Sequence, residues 1–310
     1  MKIKNGDMIG PYTIRKTLSE SGGMSQVFLA YDTERPLYTA ALKVQLAHDD
    51  NKAAFQDLLR QEAEILHTLR HPGIVRIYPL RMDRRVAYAA RAFNHPNEPW
   101  YYAMEHIHRG SSLDQYRKEF KNYPVIWIVE LFYQLLTVVQ YLHKNGYSHG
   151  DLKPQNIMLR HKPAVNEVPL PVLIDFGSAS NVKEGIKQLS ASIRYSSPEV
   201  ILALDRHDIP PHKLIRYPRK ADVWALGAIF FEMLTGRPLI DQKRPREITT
   251  TILQGELDSI SSLNGNVHQS LDTLLGRMLC RKPEDRPTIK VLIQAIEERI
   301  LSVRPPRIGQ

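Results

Sequence analysis

The stretch Tyr147-Ser148-His149-Gly150-Asp151-Leu152-Lys153-Pro154-Gln155-Asn156-Ile157-Met158-Leu159 constrains this chain more than any other. It sets an acid, a cation and an amide in one short polar loop. A long apolar pattern at helical spacing, Val125 to His143, precedes it, and a brief strand pattern, Ile157 to Leu159, follows. Polar groups held between two buried elements can be fixed rigidly, as reactive groups must be. Asp151 can accept a proton, Asn156 can bind a cation, and Lys153 can neutralise a phosphoryl group between them. A polar turn joining helix to strand is the plainer alternative, so the rest of the chain decides.

The run resembles the catalytic loop of protein kinases, H-R-D-L-x-x-x-N, written here His149-Gly150-Asp151-Leu152 … Asn156. Lys153-Pro154 is similar to the serine/threonine branch rather than the tyrosine branch. One position departs, because Gly150 stands where most members carry arginine.

Upstream, residues 11–46 read as strands: Tyr12 to Leu18 partly alternates, Val27 to Tyr31 is apolar, and Leu37 to Leu46 is a third candidate. Ser19-Glu20-Ser21-Gly22-Gly23-Met24-Ser25-Gln26-Val27 lies between the first two. Glycines in a hairpin let backbone N–H groups approach phosphate oxygens with no Cβ in the way. The segment resembles the kinase loop G-x-G-x-x-G-x-V, in its bacterial form, with only the middle glycine, Gly22, retained. Glu20 and Ser25 occupy the outer glycine positions. By itself it reads better as an ordinary hairpin.

Ala40-Ala41-Leu42-Lys43-Val44 then places a lysine inside an apolar strand. Phe55, Leu58, Leu59, Ile65, Leu66 and Leu69 mark one face of a helix over about 52–70, and Glu62 falls on that face. A carboxylate buried there unpaired is costly, so Lys43 is its expected partner, while Glu64 faces outward. The pair resembles the kinase strand-three lysine and helix-C glutamate, which hold the α- and β-phosphates. His71-Pro72-Gly73-Ile74-Val75 resembles the turn out of that helix. Residues 81–99 read as a polar connection with turn chemistry at Asn94, Pro96, Asn97 and Pro99. Tyr101 to Met104 returns to strand character. By resemblance Met104 is the gatekeeper, and the Glu105 carbonyl and Ile107 N–H bond the adenine edge. Gly22, Gly23, Ser25, Val27, Ala41 and Met158 are implied to line the same nucleotide. Gly110-Ser111-Ser112-Leu113 fits the start of a helix opening the second lobe.

Downstream, Val172-Leu173-Ile174-Asp175-Phe176-Gly177 closes an apolar strand with an acid and resembles D-F-G. This implies Asp175 and Asn156 as Mg²⁺ ligands. Ser178 to Glu199 resembles a short activation segment, with Ser197-Pro198-Glu199 for A-P-E and Ser192 beside the substrate site. Arg286 resembles the late arginine that pairs with Glu199. Residues 200–221 are longer than the usual spacing and suggest a docking loop. Asp222-Val223-Trp224-Ala225-Leu226-Gly227 resembles the start of the buried helix F, whose acid caps the catalytic-loop backbone. That helix is expected to end at Gly236, and helical patterns follow near 246–254, 268–280 and 288–302.

Composition bounds the alternatives. The formal charge is +9, from 42 Lys+Arg against 33 Asp+Glu, which favours anionic partners. No aromatic-interleaved basic stripe accompanies it, so nucleic acid is not an expected partner. The clusters Arg216 to Lys220 and Lys243 to Arg246, both interrupted by proline, read as solvated loops. Val125 to Leu142 is long enough to invite a membrane reading, but Glu130, Gln134 and Gln140 interrupt it, and a buried helix explains it better. Neither a signal peptide nor a membrane span is expected. The single cysteine, Cys280, excludes an internal disulfide, fits a reducing compartment, and reads as a core filler behind Leu271, Leu274, Leu275 and Met278.

The resemblance runs from about Gly10 to Leu301 and implies an α+β, bilobal protein kinase fold. A small β-rich lobe with helix C would span about 10–106, a larger α-helical lobe about 107–301, and a basic tail 302–310. It implies a cytoplasmic, ATP- and Mg²⁺-dependent kinase acting on serine or threonine hydroxyls of proteins. Asp151 and Lys153 would be catalytic, Asn156 and Asp175 metal-binding, and Lys43 with Glu62 nucleotide-orienting. Without an arginine at 150, activity is expected not to require phosphorylation of Ser178, Ser180, Ser190 or Ser192. The competing reading is a pseudokinase serving as an interaction module. A small-molecule kinase is disfavoured by the Ser192 to Glu199 segment.

Overall fold

In the computed structural model of the chain, the described residues are 3–19, 25–35, 37–45, 52–82, 85–108, 110–184, 192–206, 208–263, 265 and 267–298. They fall into two units, Met1–His108 and Arg109–Gln310.

The first unit is built on an antiparallel sheet. Strands β1 (Met8–Ile9), β2 (Tyr12–Ser19), β3 (Ser25–Asp32) and β4 (Thr39–Gln45) lead into helix α1 (Lys52–Thr68). Then come β5 (Ile77–Tyr78), β6 (Leu80–Met82), β7 (Arg85–Ala87), β8 (Ala90–Arg91) and β9 (Trp100–Glu105). The order across the sheet is β1-β2-β3-β4-β9-β5, with β8 also paired to β9. Side chains alternate across a strand. Ala40, Leu42 and Val44 of β4 therefore share a face, and they bury against Ile14, Phe28, Tyr101 and Ala103. Ala41 and Lys43 take the opposite face. The register pairs Ser25 with Gln45, Val27 with Lys43 and Ala41 with Met104, so Ser25, Val27, Ala41, Lys43 and Met104 all lie on that second face.

Several sequence expectations change here. Leu37 is 96% exposed and precedes the strand, which starts at Thr39. Helix α1 ends at Thr68 rather than near 70. The 81–99 stretch is more than a connection. It carries β7 and β8, and Ala90 and Ala92 are buried in the sheet's core cluster. Asn94 fixes it by reciprocal bonds: Gly10 N–H donates to Asn94 Oδ1 at 2.9 Å, and Asn94 Nδ2 donates to the Gly10 carbonyl at 2.7 Å. Gly10 has φ +56°, and a Cβ there would overlap the Tyr101 hydroxyl.

The second unit begins with β10 (Ser111–Ser112), paired with β12 (Ile157–Leu159), and a 3₁₀ turn over Leu113–Tyr116 where an α-helix was expected. Helix α2 (Val125–Lys144) leads to β11 (Tyr147–Ser148) and then β12, which also pairs with β13 (Pro171–Leu173). Strand β14 (Ser180–Asn181) returns to pair with β11. Helices α3 (Pro198–Leu204), α4 (Pro211–Leu214), α5 (Pro218–Thr235), α6 (Pro245–Gln254), α7 (Gln269–Met278) and α8 (Ile289–Ile296) complete it. Proline opens α3 to α6, where its missing N–H is one that no helix pairs anyway. The two basic clusters read as loops thus run into the first turns of α5 and α6.

Helix α2 is long and apolar enough to cross a membrane, yet Ile128, Leu131, Phe132, Leu135 and Val139 are buried within the unit. Helix α5 is buried continuously from Asp222 to Leu234, as an interior helix must be when apolar all round. It ends at Gly236, φ +72°. Phe132 of α2 and Phe230 of α5 stack at 4.0 Å. Cys280 is only partly buried and donates to the Gly276 carbonyl at 3.5 Å, so it borders the core rather than filling it. Truncation of Phe230 leaves a cavity at the α2–α5 contact. Phe230→Ala is expected to lower unfolding free energy by about 3–5 kcal/mol in a urea titration.

Candidate active site

The loop that follows β11 takes its shape from α5. Asp222 is 1% exposed, and a bare charge at that depth would be destabilising. It is satisfied by His149 N–H at 2.9 Å and His143 Nε2 at 2.8 Å on one oxygen, and by Gly150 N–H at 3.0 Å on the other. Burial pushes the Asp222 pKa up. The His143 hydrogen bond and charge, with the Gly150 N–H, outweigh it and hold the group below its ordinary value. His149 is fully buried, which lowers its pKa although Asp222, Asp151 and Asp175 pull the other way. Its neutral ring packs against Phe176 at 5.0 Å, and Nδ1 accepts the Asp151 N–H at 3.4 Å.

With the backbone pinned, the side chains converge. Asp151 Oδ2 accepts from Lys153 Nζ at 2.7 Å and Asn156 Nδ2 at 3.2 Å, and Oδ1 accepts the Ser192 N–H at 3.2 Å. A carboxylate offers about four acceptor positions. Among the described residues these three donors leave room for one more. Lys153 Nζ also donates to Ser192 Oγ at 2.9 Å. Asn156 is 5% exposed, and its Nδ2 further donates to the Asp151 carbonyl at 2.9 Å. Its amide nitrogen is thus committed to Asp151, and the amide oxygen is the atom that could meet a cation. Asp175 follows β13 with φ +60° in the left-handed region, and its Oδ1 accepts the Gly177 N–H at 3.4 Å.

Among the described residues, no cluster of three or more His, Cys, Asp or Glu would hold a metal by itself. Asn156 and Asp175 offer hard oxygens on the scale of one amide and one carboxylate. That suits Mg²⁺, which binds through few protein ligands and completes its shell with phosphates and water.

In the first unit, Lys43 Nζ lies 2.9 and 2.8 Å from Glu62 Oε1 and Oε2, with the two side chains 11% and 3% exposed. Glu64 is exposed. Met104 is buried at the end of β9, and the Glu105 N–H is spent on the Arg76 carbonyl at 2.8 Å. Ile107 is 8% exposed. In the second unit, Met158 pairs in register with Ser112 and Val172. Gly22 and Gly23 lie outside the described residues, as do Glu20 and Ser190.

Sequence reasoning passed over several supports. Arg286 was expected to meet Glu199, and the two form a bidentate pair at 2.7 Å with the guanidinium fully buried. His143, Glu232, Arg117 and the Ser148–Ser180 contact carried no expectation. Glu232, 3% exposed, accepts from Tyr195 Oη at 2.7 Å and Arg117 Nη1 at 3.2 Å. Burial raises the Glu232 pKa, only partly offset by those two donors, and also raises Tyr195. A buried acid within an apolar helix was the available signal for Glu232, as it was for Glu62.

Comparison with known proteins gives a consistent picture. A family profile described as protein kinase domain matches residues 12–296. The probable serine/threonine-protein kinase fhkE of Dictyostelium discoideum is 28% identical over 296 residues, covering 94% of this chain and 38% of that protein. PknH of Mycobacterium tuberculosis is 26% identical over 286 residues, 91% of this chain and 40% of that protein. PrkC of Bacillus subtilis is 26% identical over 283 residues, 89% and 38%. The chain thus spans about two fifths of the length of these relatives.

The Asp222 network sets a pH dependence. Its folded pKa lies below the ordinary value of 3.8, so its contribution is full above that value and is lost as pH falls through the folded one. Urea titrations between pH 7 and pH 3 are expected to show wild-type stability falling at the acid end. Asp222→Asn should be less stable at pH 7 and flatter with pH.

Proposed function

The chain belongs to the protein kinase domain family, and from that membership we propose that it transfers the γ-phosphoryl group of ATP to serine or threonine hydroxyls of proteins. The observation that carries this is the cluster in which Lys153, Asn156 and the Ser192 N–H all converge on Asp151. Three donors fix the carboxylate while one acceptor position remains for a substrate hydroxyl. The hydroxyl oxygen attacks the γ-phosphorus, and the bond to the β–γ bridging oxygen breaks. ADP leaves with that oxygen, and the hydroxyl proton passes to Asp151. Lys153 offsets charge on the transferring oxygens. Asn156 and Asp175 would hold Mg²⁺, which would supply charge neutralisation of the phosphate oxygens. Lys43, kept extended by Glu62, orients the α- and β-phosphates.

The proposed domain runs from about residue 10 to 301, with a boundary near 107 and a basic tail over 302–310. Gly22, Gly23, Ser25, Val27, Ala41, Met104, Glu105, Ile107 and Met158 are proposed to line the nucleotide. The shared face of Ser25, Val27, Ala41, Lys43 and Met104 supports this. The serine/threonine preference draws on the names of the relatives and on Lys153 bound to Ser192. A cytoplasmic setting fits the single free cysteine. The intact acid, amide and lysine set weighs against a non-catalytic interaction module.

Incubation with labelled ATP, Mg²⁺ and a generic basic protein tests the proposal. Label should reach serine and threonine in the acceptor. Asp151→Ala should lower kcat by about 10²–10⁴-fold. Lys43→Met should also strip activity, because it removes the phosphate ligand and strands Glu62. No transfer by the wild type with either Mg²⁺ or Mn²⁺ would refute it.

A further inference from the structure

Gly150 is more than a missing arginine. Its φ is +79°, a left-handed value that side chains resist. A Cβ built on it would stand 2.5 Å from the Ser178 carbonyl oxygen and 3.3 Å from the carbonyl carbon. That obstacle is backbone, so no rotamer change relieves it, and ordinary contact would need Ser178 to retreat by roughly 1 Å. Neither partner is free to do so. Gly150 is held by Asp222 through its N–H, and the peptide after Ser178 is tied back by the Ala179 N–H donating to the Phe176 carbonyl at 3.0 Å.

Just beyond, the same two chain segments are joined by bonds. Tyr147 and Ser148 pair with Asn181 and Ser180, and the Val182 N–H donates to the Gly146 carbonyl at 2.9 Å. The Ser148 and Ser180 hydroxyls, 0% and 4% exposed, share a hydrogen bond at 3.0 Å. A phosphate on Ser180 would have to break that pair.

From this we propose that Gly150 is a positioning residue. Its bare Cα lets the Ser178 carbonyl seat against the loop carrying Asp151, which sets the spacing of Asp151 and Asp175 with no phosphate on the segment between Ser178 and Asn181. The inference rests on the phosphotransfer reading for its kinetic consequence, and on geometry alone for the contact. It inverts a natural engineering expectation. Restoring arginine by Gly150→Arg does not install control by phosphorylation; it displaces Ser178 and lowers turnover.

Gly146 supplies the control. Its φ is +91°, but nothing lies within 4 Å of a Cβ built there, so Gly146→Ala meets backbone strain without a collision. Steady-state kinetics and hydrogen exchange on wild type, Gly150→Ala, Gly150→Arg and Gly146→Ala, all dephosphorylated, test the proposal. Gly150→Ala should lose about 10²-fold in kcat, the scale of a 1 Å misplacement at a reacting centre, with KM for ATP within about twofold. Its Val182 amide should exchange faster. Gly150→Arg should do the same, with or without phosphate. Gly146→Ala, which keeps the carbonyl that accepts the Val182 N–H, should lose thermal stability while its kcat stays well above that of Gly150→Ala. Wild-type kcat and Val182 protection in Gly150→Ala would overturn the proposal. Should neither Gly150 variant fold, the dephosphorylated wild type decides. A Val182 amide protected to the level of β11 supports the docked segment, and one exchanging as an open loop refutes it. Absence of phosphotransfer by the wild type would refute the reading of function and leave that exchange measurement standing.

Discussion

A charge on a helix buried on every side should be among the least tolerable features of a fold, and Asp222 is one. It persists because three N–H donors meet it, two from consecutive peptides of the loop after β11 and one from the end of α2. The consequence runs both ways. The helix needs the loop in one conformation to satisfy its carboxylate, and the loop acquires a fixed backbone without regular secondary structure. Asp151 is the next residue along, so its placement descends directly from a helix with which its side chain makes no hydrogen bond.

The same helix acts again at its other end. Glu232 takes the Tyr195 hydroxyl and the Arg117 guanidinium, and so holds the segment whose Ser192 N–H touches Asp151. The two buried acids differ in balance. Asp222 has three N–H partners and is pulled below its ordinary pKa, whereas Glu232 has one hydroxyl and one half-exposed guanidinium and is pushed above it. A buried carboxylate with fewer donors tolerates its charge less well. Arg286 adds a third tie by bracing Glu199 while its Nη1 also donates to the Lys220 carbonyl in the first turn of α5.

What the sequence revealed follows from range. Lys43 and Glu62 were legible because each broke a strong local pattern, a cation in an apolar strand and an acid on an apolar helix face. Two such breaks of opposite sign imply a pair. The two faces of β4 were not separately legible, because Ala40, Ala41, Leu42 and Val44 are all apolar and only Lys43 breaks the run. Nor were the strands within 81–99, because two- and three-residue strands carry no measurable period and β8 exists only by pairing with β9. The helices opening at Pro218 and Pro245 were partly hidden, since proline reads as a breaker inside a helix and as a starter at its first position.

Gly150 shows the deepest limit of such reading. From sequence it is defined by what it lacks, a charged side chain, and the inference drawn from it concerned phosphate alone. Its φ of +79° and its contact with Ser178 arise from a return of the chain after β13, and no local pattern announces a contact made at such separation. Ser148 and Ser180 are alike in this respect, since each sits in a two-residue strand whose partner only the pairing reveals. Gly150 and the two buried serines act where the chain before Asp151 meets the chain after Asp175. The missing Cβ at 150 leaves room for the Ser178 carbonyl, and the small hydroxyls of Ser148 and Ser180 meet at 3.0 Å where bulkier side chains would hold the two strands apart.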